Sequence, residues 1–179
     1  MSPRLRLALA MTVAVVAGSA MVALAVRAAI RDTDDAAQAQ PGTSLATALA
    51  EPIAAAAPFT GFTEARVGVG DRCLRVVVAD EDDERVQGLR GVRGTDPYDG
   101  MLFVFDDDTG ARFTMADTLV ALDITWYDAV GTPVDATTMV PCPDTDAGCP
   151  TYAADRPYRY ALETEAGGGA AGALGGCPG

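Results

Sequence analysis

Over residues 120–127 the chain alternates strictly. Val120, Leu122, Ile124 and Trp126 fall on one side of an extended backbone, and Ala121, Asp123, Thr125 and Tyr127 fall on the other. A repeat of two belongs to a β-strand, because successive side chains leave a pleated backbone on opposite faces. The same period returns where Leu74, Val76 and Val78 alternate with Cys73, Arg75 and Val77, and where Tyr158, Tyr160 and Leu162 alternate with Arg159, Ala161 and Glu163. Met101, Leu102, Phe103, Val104 and Phe105 form a continuous apolar run of strand length, as expected of a strand buried on both faces. Asp106-Asp107-Asp108-Thr109-Gly110 and Asp128-Ala129-Val130-Gly131 follow two of these strands and read as turns.

One short helix is expected near residues 81–90. Asp80 is placed as its N-cap, and Glu81, Asp82, Asp83 and Glu84 oppose the helix dipole in the first turn. Val86 and Leu89 lie three apart on one helical face, and Gly91 or Gly94 can end the helix. A calcium site in the same acidic run is the weaker reading, since cation loops need a longer alternation of oxygen donors. The fold class is therefore mainly β (α+β), a single small barrel- or sandwich-like domain with one short helix.

That domain is assigned to residues 63–179, and it ends in a Gly-rich tail. Before it, residues 32–62 are Ala- and Pro-rich and read as a flexible linker, transiently helical around Leu45–Leu49. The first 31 residues form the third segment: Arg4 and Arg6 precede an uncharged run over residues 7–26, and Arg27 and Arg31 follow it. Such a run fits a secretory signal, with Ala23-Leu24-Ala25 as a small-x-small cleavage site before Val26. It also fits an apolar helix left uncleaved as a membrane anchor, since about 20 residues span a bilayer core. Either reading places the domain outside the cytoplasm, secreted or anchored in the cytoplasmic membrane.

Composition excludes several chemistries. The chain holds 13 Arg and no Lys or His. Without His there is no Ser-His-Asp or Cys-His nucleophile and no imidazole metal ligand. The net charge of −12 disfavours nucleic acid and anionic membrane surfaces as partners. No cofactor or metal is expected, because no ligand cluster has the residue types or spacing for one. Met101 and Met115 read as core filling rather than copper ligands, which come clustered or with His.

Several blocks recur here in a familiar order. They are Glu84-Arg85-Val86-Gln87-Gly88-Leu89, Gly100-Met101-Leu102-Phe103-Val104-Phe105, Phe113-Thr114-Met115-Ala116-Asp117-Thr118, Leu122-Asp123-Ile124, Pro141-Cys142, and Leu162-Glu163 with Ala166-Gly167. From about Ala65 to Gly167 the chain resembles domain-of-unknown-function family 192, a set of small, often exported, β-rich domains. The resemblance implies a β-rich fold and carries no established activity. This chain departs from the family pattern at Arg90, where Met is usual, and at Val92, where Arg is usual. A Trp-Met-Lys-Asn stretch appears here as Thr114-Met115-Ala116-Asp117.

Thr114, Asp117 and Thr118 are candidates for the lining of a polar pocket, with turn or strand-edge roles as the alternative. Asp123 is a further ligand-binding candidate, or a structural acceptor of backbone amides. Two function classes follow. One is a non-catalytic binding or interaction module at the cell envelope, with a small-molecule, glycan or protein partner. The other is a small hydrolase in which Asp123 and Glu163 face one another as paired carboxylates.

Four cysteines in an exported chain are expected to oxidise, and they allow three full pairings. Cys142 and Cys149 flank Pro143-Asp144-Thr145-Asp146-Ala147-Gly148, whose Pro, Asp and Gly suit a tight reversal. They are paired on that ground, and Cys73 with Cys177 by elimination, against the alternative that Cys177 is free or bonds a second molecule.

Overall fold

The computed structural model describes residues 44–142, 148–169 and 171–178. All of them belong to one unit of the chain, Pro41–Gly179. The expected signal or anchor at residues 1–31, and residues 32–43 of the expected linker, lie outside the described residues. Among the described residues no helix is long and apolar enough to cross a membrane.

The elements run in the order α1 (Leu45–Leu49), β1 (Ile53–Ala54), β2 (Thr63–Val69), β3 (Arg72–Ala79), α2 (Asp82–Gln87), β4 (Gly100–Thr109), β5 (Phe113–Thr114), β6 (Leu122–Tyr127), β7 (Pro133–Met139), β8 (Thr151–Tyr152), β9 (Tyr158–Glu165) and β10 (Leu174–Gly176). The fold is mainly β. One sheet has the order β1-β2-β3-β4-β9-β6-β7, with β10 also on β2, and β5 and β8 form a separate pair. All pairings are antiparallel except β3 with β4, which are parallel. The chain between β3 and β4 carries α2, the crossover that a parallel pair requires.

Alternation sorts the core into two layers. Val77, Ala79, Met101, Phe103, Ile124, Trp126 and Ala161 pack on one face of the sheet. Val76, Val78, Leu102, Tyr127 and Leu162 pack on the other, where Leu45 and Leu49 of α1 and Leu174 of β10 cover them. The first face is closed by Phe59, Leu89, Tyr98, Phe113 and Met115. At the strand junction, a Cβ on Gly100 would lie 2.1 Å from the Glu163 carbonyl oxygen, so only glycine lets β4 approach β9 there.

The sheet curls without closing into a barrel. Its two ends meet through a turn, not a strand pair: the Leu174 N–H of β10 donates to the Gly131 carbonyl between β6 and β7 (2.8 Å). That turn is the expected one at residues 128–131, with Asp128 Oδ1 accepting the Val130 and Thr132 amides. The turn expected at residues 106–110 lies later. β4 continues to Thr109, which pairs with Tyr158, and the Asp run lies in the bulge between Val104 and Thr109, with Asp108 in an ion pair to Arg159.

Among the described residues two short helices form, the expected one within residues 63–179 and α1 at Leu45–Leu49 before it. α2 has Glu81 rather than Asp80 as its N-cap, since Glu84 Oε2 turns back to accept both the Asp80 and Glu81 amides. It stops at Gln87, earlier than Gly91, because Gly88 takes a positive φ (47°). Leu89 therefore leaves the helix for the core, and Val86 does not share its face: it is 72% exposed. Within residues 32–62, α1 is helical as read from Leu45–Leu49, Ile53–Ala54 pair with β2, and Phe59 is buried.

A polar clamp holds that N-terminal stretch. Arg75 donates through Nε (3.0 Å) and Nη2 (2.6 Å) to Glu64, and its guanidinium lies 4.6 Å from the centre of the Tyr98 ring. Tyr98 donates its hydroxyl to Glu64 Oε2 and accepts the Ala56 amide (2.6 Å). The Arg75 bond, then the Tyr98 bond, hold the Glu64 carboxyl below its usual range, while burial pushes the Tyr98 hydroxyl up. Tyr98→Phe strips a partner from the Ala56 amide and from the carboxylate. A loss of about 1–2 kcal/mol is expected in denaturant unfolding. An unchanged midpoint would show that water replaces the hydroxyl at no cost.

Candidate functional site

The α2 segment, β4, β5 and the loop between β4 and β5 surround a pocket of about 540 Å³ on the first face of the sheet. Its apolar walls are Leu89, Phe103, Phe105, Ala111 and Phe113, and Arg85, Arg90 and Arg112 stand around it. The period of two explains the walls: Phe103 and Phe105 leave β4 on the same face, and Phe113 meets Phe103 edge to face, with ring centres 5.0 Å apart. Thr114 and Thr118 also line it.

Glu163 of β9 reaches this pocket from the sheet. Its cross-strand neighbours are Met101 and Ile124, both fully buried, and Glu163 itself is 5% exposed. Its carboxyl has no hydrogen bond or ion pair with any other described residue, and desolvation alone raises it to about 8. At neutral pH the acid is mostly protonated and offers one donor and one acceptor to the pocket. A carboxyl that no described residue hydrogen-bonds, facing a concave pocket with apolar walls, marks a candidate site.

The other sequence candidates separate. Thr114 Oγ1 accepts the Ala116 amide (3.2 Å), which shapes the turn after β5. Asp117 does not line the pocket; it stands at φ 60°, with its N–H on the Cys142 carbonyl and its own carbonyl accepting the Gly91 amide. Asp and Asn both tolerate that backbone region, which accounts for Asp117 standing where Asn is usual in the pattern above. Asp123 lies on the opposite face from Glu163, because Asp123 is the register partner of Thr164 and Ile124 that of Glu163. It accepts the Thr138 hydroxyl (2.6 Å) and the Gly167 amide (2.8 Å). The two carboxylates therefore do not face each other. Among the described residues no three His, Cys, Asp or Glu side chains converge on a point that could hold a metal.

Sequence reasoning missed the phenylalanine walls and the three arginines. Phe103 and Phe105 were legible as a buried strand, but nothing in a linear pattern shows that a helix leaves a gap over them.

The model of domain-of-unknown-function family 192, described as "Uncharacterized ACR", matches residues 65–175. The chain belongs to this family. All of the pocket residues named above fall inside the match. Arg90 and Thr114, two positions where this chain departs from the usual family 192 residues, both line the pocket and make it more polar. Two solved structures are similar. A protein of unknown function from Novosphingobium aromaticivorans is 22% identical, with a TM-score of 0.53, 70% of this chain and 89% of that one being covered. A protein from Sinorhizobium meliloti, described as a "putative transcription regulator", is 26% identical with a TM-score of 0.51, the match covering 62% of this chain and 90% of that one. These likenesses support the family 192 fold. No curated protein matches the chain.

Both disulfides pair as the sequence reading expects. Cys73 bonds Cys177, with Cα atoms 5.0 Å apart, and Cys142 bonds Cys149, with Cα atoms 5.8 Å apart.

Proposed function

We propose that this domain is a non-catalytic module that binds a small molecule outside the cytoplasm, in the pocket that Glu163 floors. The unpartnered Glu163 carboxyl carries the reading. No described residue hydrogen-bonds this acid and it faces the pocket, so a ligand seated there can supply its donor and acceptor partners in place of water. Among the partner classes, a concave pocket of about 540 Å³ with apolar walls and a few polar groups favours a small molecule over a flat protein surface. Two disulfides fit an oxidising compartment, and the basic start with its uncharged run at residues 7–26 fits export or anchoring by residues 1–31, with the membrane touched only there.

A thermal-shift screen of small metabolites tests binding, using the wild type and an Ala111→Trp variant whose indole obstructs the cavity from its wall. Ligands at about 100 times their Kd stabilise the wild type by roughly 2.7 kcal/mol, and the obstructed variant does not respond. A library that moves neither protein, or both alike, overturns the pocket as the site. Export is tested by fusing residues 1–58 to a reporter active only outside the cytoplasm. Activity is expected, and an inactive cytoplasmic fusion refutes it.

A further inference from the structure

We infer that the ligand of this pocket is an amphipathic organic anion, held by Arg90 and Arg112 through its charged group while an uncharged polar atom at its other end meets Glu163. This rests on the pocket being a binding site and adds the class of ligand.

Charge makes the first argument. The chain is strongly acidic, at −12, yet three arginines and only one exposed acid, Asp82, surround this cavity. Asp82 answers Arg85 at 2.7 Å. Arg85 is further occupied by the Val104 carbonyl (2.7 Å) and stacks over the Phe105 ring at 5.3 Å. Arg90 and Arg112 have no carboxylate partner among the described residues. Arg90 uses Nε on the Val86 carbonyl (3.1 Å), and Arg112 uses Nε and Nη2 on Thr151 (3.0 and 2.7 Å). Each is thus oriented by bonds that leave other guanidinium N–H groups for an anion. A cationic ligand would meet two uncompensated positive charges on entry.

The interior makes the second. Phe103, Phe105 and Phe113 accept an apolar or aromatic body. A purely aliphatic end against Glu163 would leave the carboxyl unpartnered, so the inner end carries a hydrogen-bonding atom. It is uncharged, because a second anionic group would meet the Glu163 carboxyl and a cationic one would meet the arginines that line the same pocket. The arginines come from the α2 segment and the β4–β5 loop.

The probes are anilinonaphthalene sulfonate, which has an anionic group, an aromatic body and an N–H, and phenylnaphthylamine, the same body without the sulfonate. Binding to the full secreted chain is read by fluorescence at low salt, where surface charge is least screened. The wild type is expected to bind the sulfonate about tenfold more tightly than the neutral probe, the scale of one charge-assisted hydrogen bond. Arg90→Gln with Arg112→Gln abolishes that preference and leaves the neutral probe's affinity unchanged. Arg90→Gln alone, which keeps the Arg112–Thr151 bonds, removes part of it. Ala111→Trp removes both probes. Equal affinities in the wild type, or a preference that survives the arginine changes, overturns the anion inference while the pocket reading stands. Probes that bind Ala111→Trp as well as wild type sit elsewhere, and both readings then fall.

Discussion

Glu163→Gln is expected to stabilise the domain by about 3–5 kcal/mol at pH 8.5 and to leave it nearly unchanged at pH 4.5. The amide keeps the shape and polarity of the protonated acid but cannot ionise. In the folded protein burial raises the Glu163 carboxyl from the ordinary 4.5 to about 8. Below 4.5 the acid is protonated in both folded and unfolded chains, and its ionisation does not affect stability. Between 4.5 and 8 the unfolded chain loses the proton while the folded chain keeps it. The folded state then binds more protons, and stability falls as pH rises. Above 8 both ionise and the loss levels off. Every tenfold difference in proton affinity between folded and unfolded chains is worth about 1.36 kcal/mol, which sets a ceiling of about 5 kcal/mol. Denaturant unfolding of wild type and variant, with disulfides intact and at half-unit steps from pH 4.5 to 9, isolates this group from every other titration by difference. A difference that does not change with pH would mean that the carboxyl is solvated, and the site would lose its main support.

Removing the Cys73–Cys177 bond, by Cys73→Ser with Cys177→Ser, is expected to cost about 4–5 kcal/mol. Its sequence separation of 104 is long, and in the chain-entropy model a loop of about 100 residues is worth about 4.7 kcal/mol. The native contacts also need the bond. Only Leu174 of β10 is buried, which supplies about 2 kcal/mol. The strand sits against glycines: a Cβ on Gly68 would lie 2.2 Å from the Gly176 carbonyl oxygen, and one on Gly131 would lie 2.0 Å from that of Leu174. Such close backbone packing gives little side-chain area, so the covalent link carries most of the attachment. The Cys142–Cys149 bond, with a separation of 7, is worth about half as much on the same model. Denaturant unfolding of the two double variants should rank them in that order. Equal and small losses would show that β10 holds by its hydrogen bonds alone. Protease cleavage confined to the tail of the Cys73/Cys177 variant would separate local release from global destabilisation.

Much of this fold was legible in one dimension because its determinants are local. The strand alternation at Leu74–Val78 and Leu122–Trp126 depends only on which side of a pleat each residue takes. The acids before Val86 mark a helix start for equally local reasons, although the choice of Glu81 over Asp80 as cap turned on how Glu84 folds back. The cysteine pairing followed from compartment and loop length. Where the reading missed, long-range contacts decided. The Asp106–Thr109 stretch has turn chemistry, yet the strand continues through it as a bulge until Thr109 pairs with Tyr158 of β9. Val86 and Leu89 have helical spacing, yet Gly88 ends the helix between them.

The sequence by itself determined that this is a β-rich family 192 domain with two disulfides and no histidine chemistry, since composition, period and order of motifs suffice for that. Only the tertiary structure decided the site. Asp123 and Glu163 look alike in a string, as acids on neighbouring strands. Register put one on a face where Thr138 and Gly167 satisfy it, and the other beneath phenylalanines where no described residue does. Burial and partnership are properties of what lies across a gap, and that gap is made by α2, β4 and β5, residues far from Glu163 in sequence.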